Sequence, residues 1–150
     1  MIKTILVATD GSEHAKKAVI LAADIAQKYD AKVIVLFVMT GLGSGEIPEG
    51  LRSFARSEHI EGTDREILES IGNQIVRDAQ ALAQEHKAPE IETQIEVGDP
   101  ASTILSVAKN QGINLIVMGS RGLGDLQGLL MGSVSHKVSQ LSQCSCVTVK

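Results

Sequence analysis

The residues of this chain best equipped for chemistry lie in one glycine-rich run, MGSRGLGDLQGLLMGSVSHKV, from Met118 to Val138. Glycines stand at 119, 122, 124, 128 and 132, and the last is followed by Ser133, Val134 and apolar residues at helical spacing. Glycine lets a backbone approach an anion closely and adopt conformations closed to other residues. The amides that open a helix lack partners within it, so those around Gly132 and Ser133 would point at a phosphate placed there. The Ser133 hydroxyl would add a donor and would cap the helix in either case. Arg121, the cation of this turn, could reach outer phosphates or extend into water. Gly124 and Gly128 need nothing beyond turn formation. The run is not a P-loop, because it lacks Gly-Lys-Ser/Thr. Nor is it the dinucleotide fingerprint, because Gln127 stands where the third glycine is required. No Gly-x-Ser-x-Gly elbow for a nucleophilic serine occurs in the chain.

The second chemical position is Asp10, in the stretch ILVATDGSE near the N-terminus. Its carboxylate could take a ligand's hydroxyls, or merely cap the first helix or close a turn. His14 follows in the first turn of that helix and is expected to face solvent. His59, His86 and His136 have no partner at catalytic spacing. Cys144 and Cys146 are best read as reduced thiols, although an intersubunit disulfide or oxidant sensing is the alternative. No Cys or His spacing suits a structural zinc site.

The elements that must position these residues alternate in type, as in a parallel sheet covered on both faces. Strand-like runs occur at Ile2–Ala8, Lys32–Val38, Ile91–Val97, Ile113–Gly119 and Val147–Val149. Helical spacing joins Ala15, Ala18, Val19, Ala22 and Ala26, with Ser12 as N-cap. A further helix runs from Leu68 through Ile71, Ile75, Ala79 and Leu82. Another opens on Asp99-Pro100, carries Ile104, Leu105 and Ala108, and stops at Gly112. The last is marked by Val134, Val138 and Leu141. Right-handed crossovers then give one domain over residues 1–150, an α/β fold with a five-stranded parallel sheet of order 3-2-1-4-5 and helices on both faces. In that order the first and fourth strands are neighbours. Ligands settle beyond the carboxyl ends where such an order reverses, a point flanked by Asp10 and Gly119. The long stretch from Thr40 to Gly62 contains Leu51, Phe54 and Ala55 at the spacing of one amphipathic turn. It would be a surface insertion or a lid.

Composition narrows the partners. The chain has 150 residues, no Trp, one Tyr and two Phe, so few rings are available to stack on bases. Net charge is −4 and no Lys/Arg stripe follows a phosphate backbone, which argues against nucleic acid. The N-terminal apolar run is too short for a signal segment or membrane span, giving the expectation of a cytoplasmic protein that does not engage membranes.

The spacing Gly119-x2-Gly122-x9-Gly132-Ser133 resembles the nucleotide-binding signature of the ATP-binding universal stress proteins. Ile5-Leu6-Val7-Ala8-Thr9-Asp10-Gly11-Ser12 is similar to that family's first strand and turn, and Leu115-Ile116-Val117-Met118-Gly119-Ser120 to its fourth. Ala8 and Ser145 depart from positions where the family often has proline. The resemblance implies that Asp10 contacts the adenosine portion and that the backbone near Val38 receives the adenine edge. Gly119 and Gly122 would line ribose and phosphates, Gly132 and Ser133 would hold the phosphates, and Ala8, Met118, Arg121 and Val134 would complete the site. The implied ligand is ATP, with ADP or AMP as alternatives, and Mg²⁺ or Mn²⁺ would be carried by the nucleotide. The implied role is stress-response regulation through an unidentified protein partner, as a homodimer paired along the Val147–Val149 edge. No general base or phosphate-loop lysine is visible, so hydrolysis or self-phosphorylation would at most be slow. The competing readings are a dimeric interaction module that uses no nucleotide, and an enzyme related to adenine-nucleotide hydrolases or electron-transfer flavoproteins.

Overall fold

A computed structural model describes residues 1–40, 49–123 and 131–150. Its elements run β1 (Thr4–Ala8), α1 (Glu13–Tyr29), β2 (Lys32–Met39), α2 (Glu49–Ser57), α3 (Asp64–Glu85), β3 (Glu90–Val97), α4 (Pro100–Asn110), β4 (Leu115–Gly119), α5 (Ser133–Leu141) and β5 (Ser145–Val149). The five strands form one sheet in the order β3-β2-β1-β4-β5, with every neighbouring pair parallel. This is the order expected from right-handed crossovers with the strands divided to either side of β1.

Because side chains alternate across a strand, β1 supplies both layers of the core. Ile5 and Val7 join Ala18, Ala22, Ala26 and Ile71 under α1 and α3. Leu6 joins Ile104, Ile116 and Val138 under α4 and α5. Alanines on the buried stripe of α1 let that helix lie close to the sheet, and Ala18, Ala22, Ala23 and Ala26 are fully buried. On α3, Gly72 serves the same end, since a Cβ there would come within 3.0 Å of the Phe37 ring.

Helix starts follow their caps. Ser12 Oγ accepts from Ala15 N, and an Asp99 carboxylate oxygen accepts from Ser102 N at 2.9 Å with Pro100 in the first turn. Helix α3 starts earlier than the expected Leu68, because Thr63 and Glu66 form a reciprocal capping box. The tetrapeptide Thr63-Asp64-Arg65-Glu66 carried that signal. The amphipathic turn expected around Phe54 is part of a nine-residue helix whose Leu51 and Ala55 are buried. Strands β1 and β4 begin two residues later than their apolar runs and β5 two residues earlier, each where a pairing partner exists. Leu141, expected on the buried stripe of α5, is instead 58% exposed, because the helix ends there, one turn beyond the buried Val138. Gly124, Gly128 and the stretch 41–48 lie outside the described residues.

The cap at Asp99 makes stability depend on pH in a stated direction. Hydrogen bonds from Ser102 hold this carboxyl below its ordinary value, with Lys137 at 3.6 Å contributing. A depressed folded value means the stabilisation is complete above the unfolded range near pH ~4 and is lost as pH falls through the folded value. Asp99→Asn still caps but does not titrate, so its acid-unfolding curve should be flatter at the low end than that of the parent. Asp99→Ala should cost about 1 kcal/mol at pH 7 by urea titration.

Candidate functional site

The carboxyl ends of β1 and β4 lie side by side, with Ala8 opposite Met118 in the register. Beyond them the chain turns away on opposite faces, and a cavity of about 330 Å³ opens at that divergence. Its floor is apolar, made by Ala8, Leu36, Val38, Ile104 and Met118. Its polar margin is made by Asp10 after β1, Thr40 after β2, Arg121 and Gly122 after β4, and Ser133 at the start of α5. A volume near the lower end of the roughly 300–1,000 Å³ of small-molecule sites suits one ring system with a polar tail.

The turn from β1 into α1 is built around Asp10. Thr9 Oγ1 accepts from Gly11 N at 3.2 Å, and Asp10 Oδ1 accepts from Ser12 N at 3.0 Å. Gly11 has φ +82°, a region that side chains oppose, which makes this tight turn possible. The second oxygen, Asp10 Oδ2, accepts from Leu123 N at 2.8 Å. One carboxylate thus closes its own turn and ties down the segment that follows β4, 113 positions away in sequence.

Gly119 is required by packing. A Cβ on it would stand 2.8 Å from His14 Cβ and 2.9 Å from the His14 carbonyl carbon, so any side chain would force α1 away from β4. His14 Nδ1 lies 3.1 Å from Ser120 Oγ. His14 is therefore partly buried against the turn and not the solvent-facing residue expected from its place in the helix. Ser120 itself is buried; its N–H donates to Val149 O and its carbonyl accepts from Gly132 N at 2.6 Å and from Ser135 Oγ at 3.0 Å.

These bonds correct two expectations at the start of α5. Gly132, not Ser133, occupies the N-cap position, in extended conformation and with no side chain to cap it. Ser133 is the first helical residue and lines the cavity. The Gly132 amide does not point at a ligand position, because Ser120 O takes it. What remains at this helix start is the group of first-turn amides of α5, beside Arg121 across the cavity margin. Helices α1 and α4 also begin at this edge, but Ser12 and Asp99 cap them from their own side chains. Oriented amides of this kind favour an anion.

Of the ten residues named from sequence, nine line the cavity: Ala8, Asp10, Val38, Met118, Gly119, Arg121, Gly122, Ser133 and Val134; Gly132 is buried behind them. Sequence reasoning missed Leu51 of α2 and Ile104 of α4. The latter was legible as the apolar face behind Asp99-Pro100, whereas the former depends on where α2 docks.

Comparison with known proteins agrees with this architecture over its whole length. The model of the universal stress protein family matches residues 1–150. The chain belongs to the universal stress protein family. Universal stress protein YxiE of Bacillus subtilis is 37% identical over 151 residues, covering all of both chains. The solved structure of universal stress protein UspA from Lactobacillus plantarum is 28% identical, with a TM-score of 0.75 over 99% of this chain and 97% of that one. A universal stress protein solved in complex with cAMP is 26% identical, with a TM-score of 0.72 over 99% of this chain and 97% of the other.

The cysteines sit apart from this site. Cys146 Sγ is 2.9 Å from Ser142 Oγ, and burial, then the neighbouring Cys146, push the Cys144 thiol upward. A raised thiol carries less thiolate at neutral pH, which disfavours ready oxidation. Among the described residues no helix is long and apolar enough to cross a membrane.

Proposed function

We propose that this universal stress protein is a cytoplasmic regulator that binds an adenine nucleotide, with ATP the leading ligand, in the cavity between β1 and β4. The observation that carries the reading is the division of that cavity into an apolar floor and a margin holding Arg121 and the first turn of α5, which carries no side-chain cap. Adenine would lie on Ala8, Val38, Ile104 and Met118. Ribose would lie beside Asp10 and Gly119, and phosphates beside Gly122, Ser133, Val134 and Arg121. Gly132 would act by holding the start of α5 in place. A universal stress protein solved in complex with cAMP supports an adenine nucleotide as the class of ligand. These residues fit the nucleotide without a P-loop lysine, so Mg²⁺ or Mn²⁺ would come with the triphosphate. Among the described residues that line the cavity there is no lysine or histidine, and turnover would be slow.

The test is calorimetric titration of nucleotide-stripped protein with Mg-ATP and with AMP, beside Gly132→Val. The variant crowds the buried start of α5 and should lower affinity by more than about tenfold, or 1.4 kcal/mol. Folded parent protein that binds neither nucleotide would sink the proposal.

Signalling to a protein partner would run through a homodimer. Strand β5 is an edge whose Val147 and Val149 are half-buried, and a bare apolar edge invites pairing with a second copy. Thr148→Glu should shift the sedimentation coefficient toward the monomer; an unchanged value refutes pairing along this strand.

A further inference from the structure

Two buried serines join the sides of the cavity's polar margin. Ser120, 2% exposed, directly precedes Arg121, and Ser135, 4% exposed, lies in the first turn of α5, two residues after Ser133. The Ser135 hydroxyl is 3.0 Å from the Ser120 carbonyl oxygen and 3.0 Å from that of Gly132. The same Ser120 carbonyl accepts from Gly132 N at 2.6 Å, and the Gly132 carbonyl accepts from His136 N at 3.0 Å. Ser120 is itself held from two further elements. Its N–H donates to Val149 O of β5 at 2.7 Å, and its hydroxyl is 3.1 Å from His14 Nδ1 of α1. Strand β5 and helix α1 therefore fix Ser120, and Ser135 ties the start of α5 to it.

A serine hydroxyl carries one hydrogen. At Ser135 both acceptors at 3.0 Å are backbone carbonyls of the fold, so that hydrogen is engaged within the protein although the residue lines the cavity. We infer that Ser135 is a positioning residue: its hydroxyl fixes the spacing between Arg121 after β4 and Ser133 at the start of α5, and does not itself donate to phosphates. The inference rests on the proposal that a nucleotide occupies this cavity with its phosphates at that margin. The effect falls on the phosphates because Ser135 bridges the two polar sides, whereas Ala8, Val38 and Met118 of the floor are set by the pairing of β1, β2 and β4. Groups held at a fixed spacing before a ligand arrives need no reordering when it binds.

Ser135→Ala tests this role. Each of the two carbonyls keeps its amide donor in the variant, Gly132 N at Ser120 O and His136 N at Gly132 O, so no buried acceptor is orphaned and the protein should fold. Titration of nucleotide-stripped, ¹⁵N-labelled parent and variant with Mg-ATP and with adenosine, followed by NMR, separates the phosphate contribution from the rest. Mg-ATP affinity should fall by at least about tenfold, and adenosine affinity should change by less than about twofold. Equal losses for the two ligands, or no loss for Mg-ATP, overturn the inference.

A second arm needs no nucleotide and separates positioning from direct contact. In the nucleotide-free variant the amide hydrogens of Gly132 and His136 should exchange with solvent at least about tenfold faster than in the parent, while those of Leu6 and Val7 in β1 exchange at the parent rate. A hydroxyl that acted only by touching phosphate would lower Mg-ATP affinity and leave this exchange unchanged. Unchanged exchange at Gly132 and His136 therefore overturns the positioning role even where Mg-ATP binds. Faster exchange in a protein that binds neither Mg-ATP nor adenosine keeps the tie between Ser120 and α5 and retires the nucleotide reading.

Discussion

Gly119→Val should be among the most damaging single substitutions at this sheet edge, lowering stability by about 2–3 kcal/mol and the melting temperature by on the order of 5–10 °C. The added side chain meets His14 Cβ, the His14 carbonyl carbon and Ala15 N at 2.8–3.0 Å. Two of those three atoms are backbone in the first turn of a helix whose alanines are packed on the sheet, so the clash cannot be relieved by rotating one side chain. Helix α1 must move off β4, and the cavity between their ends must change shape. Nucleotide affinity should therefore fall together with stability. Gly119→Ala should act in the same direction with a smaller effect. Thermal unfolding of the two variants checks the prediction, and an alanine variant that melts with the parent would mean that the first turn of α1 yields easily. Part of the glycine signature is thus a packing requirement of the fold, whatever the ligand.

Asp10→Ala should separate the two roles open to this carboxylate. It removes the acceptor of both Ser12 N and Leu123 N, bonds of 3.0 and 2.8 Å that hold the β1–α1 turn and the Leu123 turn together. Hydrogen bonds to a charged group contribute about 1.5–3 kcal/mol each, less where water can replace them, so a loss of roughly 2 kcal/mol is expected in urea unfolding. If Asp10 also meets the ribose, AMP and Mg-ATP affinity should fall by roughly tenfold or more at a temperature where the variant remains folded. Reduced stability with unchanged affinity would leave Asp10 as a structural residue alone. Asp10→Asn has one carbonyl acceptor for two amide donors, and its stability should lie between those of the parent and the alanine variant.

The periodicities of 2 and 3.6, the serine and aspartate caps and the right-handed crossover rule are local or near-local properties. They were enough to yield five parallel strands, their order and the edge at which a cavity would open. The glycine spacing, with the β1 and β4 motifs, was also enough to point to the family. Sequence could not say which amides at the start of α5 are available, because that depends on Ser120, whose carbonyl takes the Gly132 N–H from twelve residues away. Nor could it pair Asp10 with Leu123, bring Gly50 against Leu123, or place Leu51 in the cavity lining. Those contacts join segments far apart in the chain, and no local propensity encodes them. Residue types and spacing determined the fold, its edge and the residues gathered there. The closing of turns, the burial of His14 beside Gly119 and the approach of Gly50 to Leu123 were decided by tertiary packing, which alone brings distant donors, acceptors and small residues within contact distance.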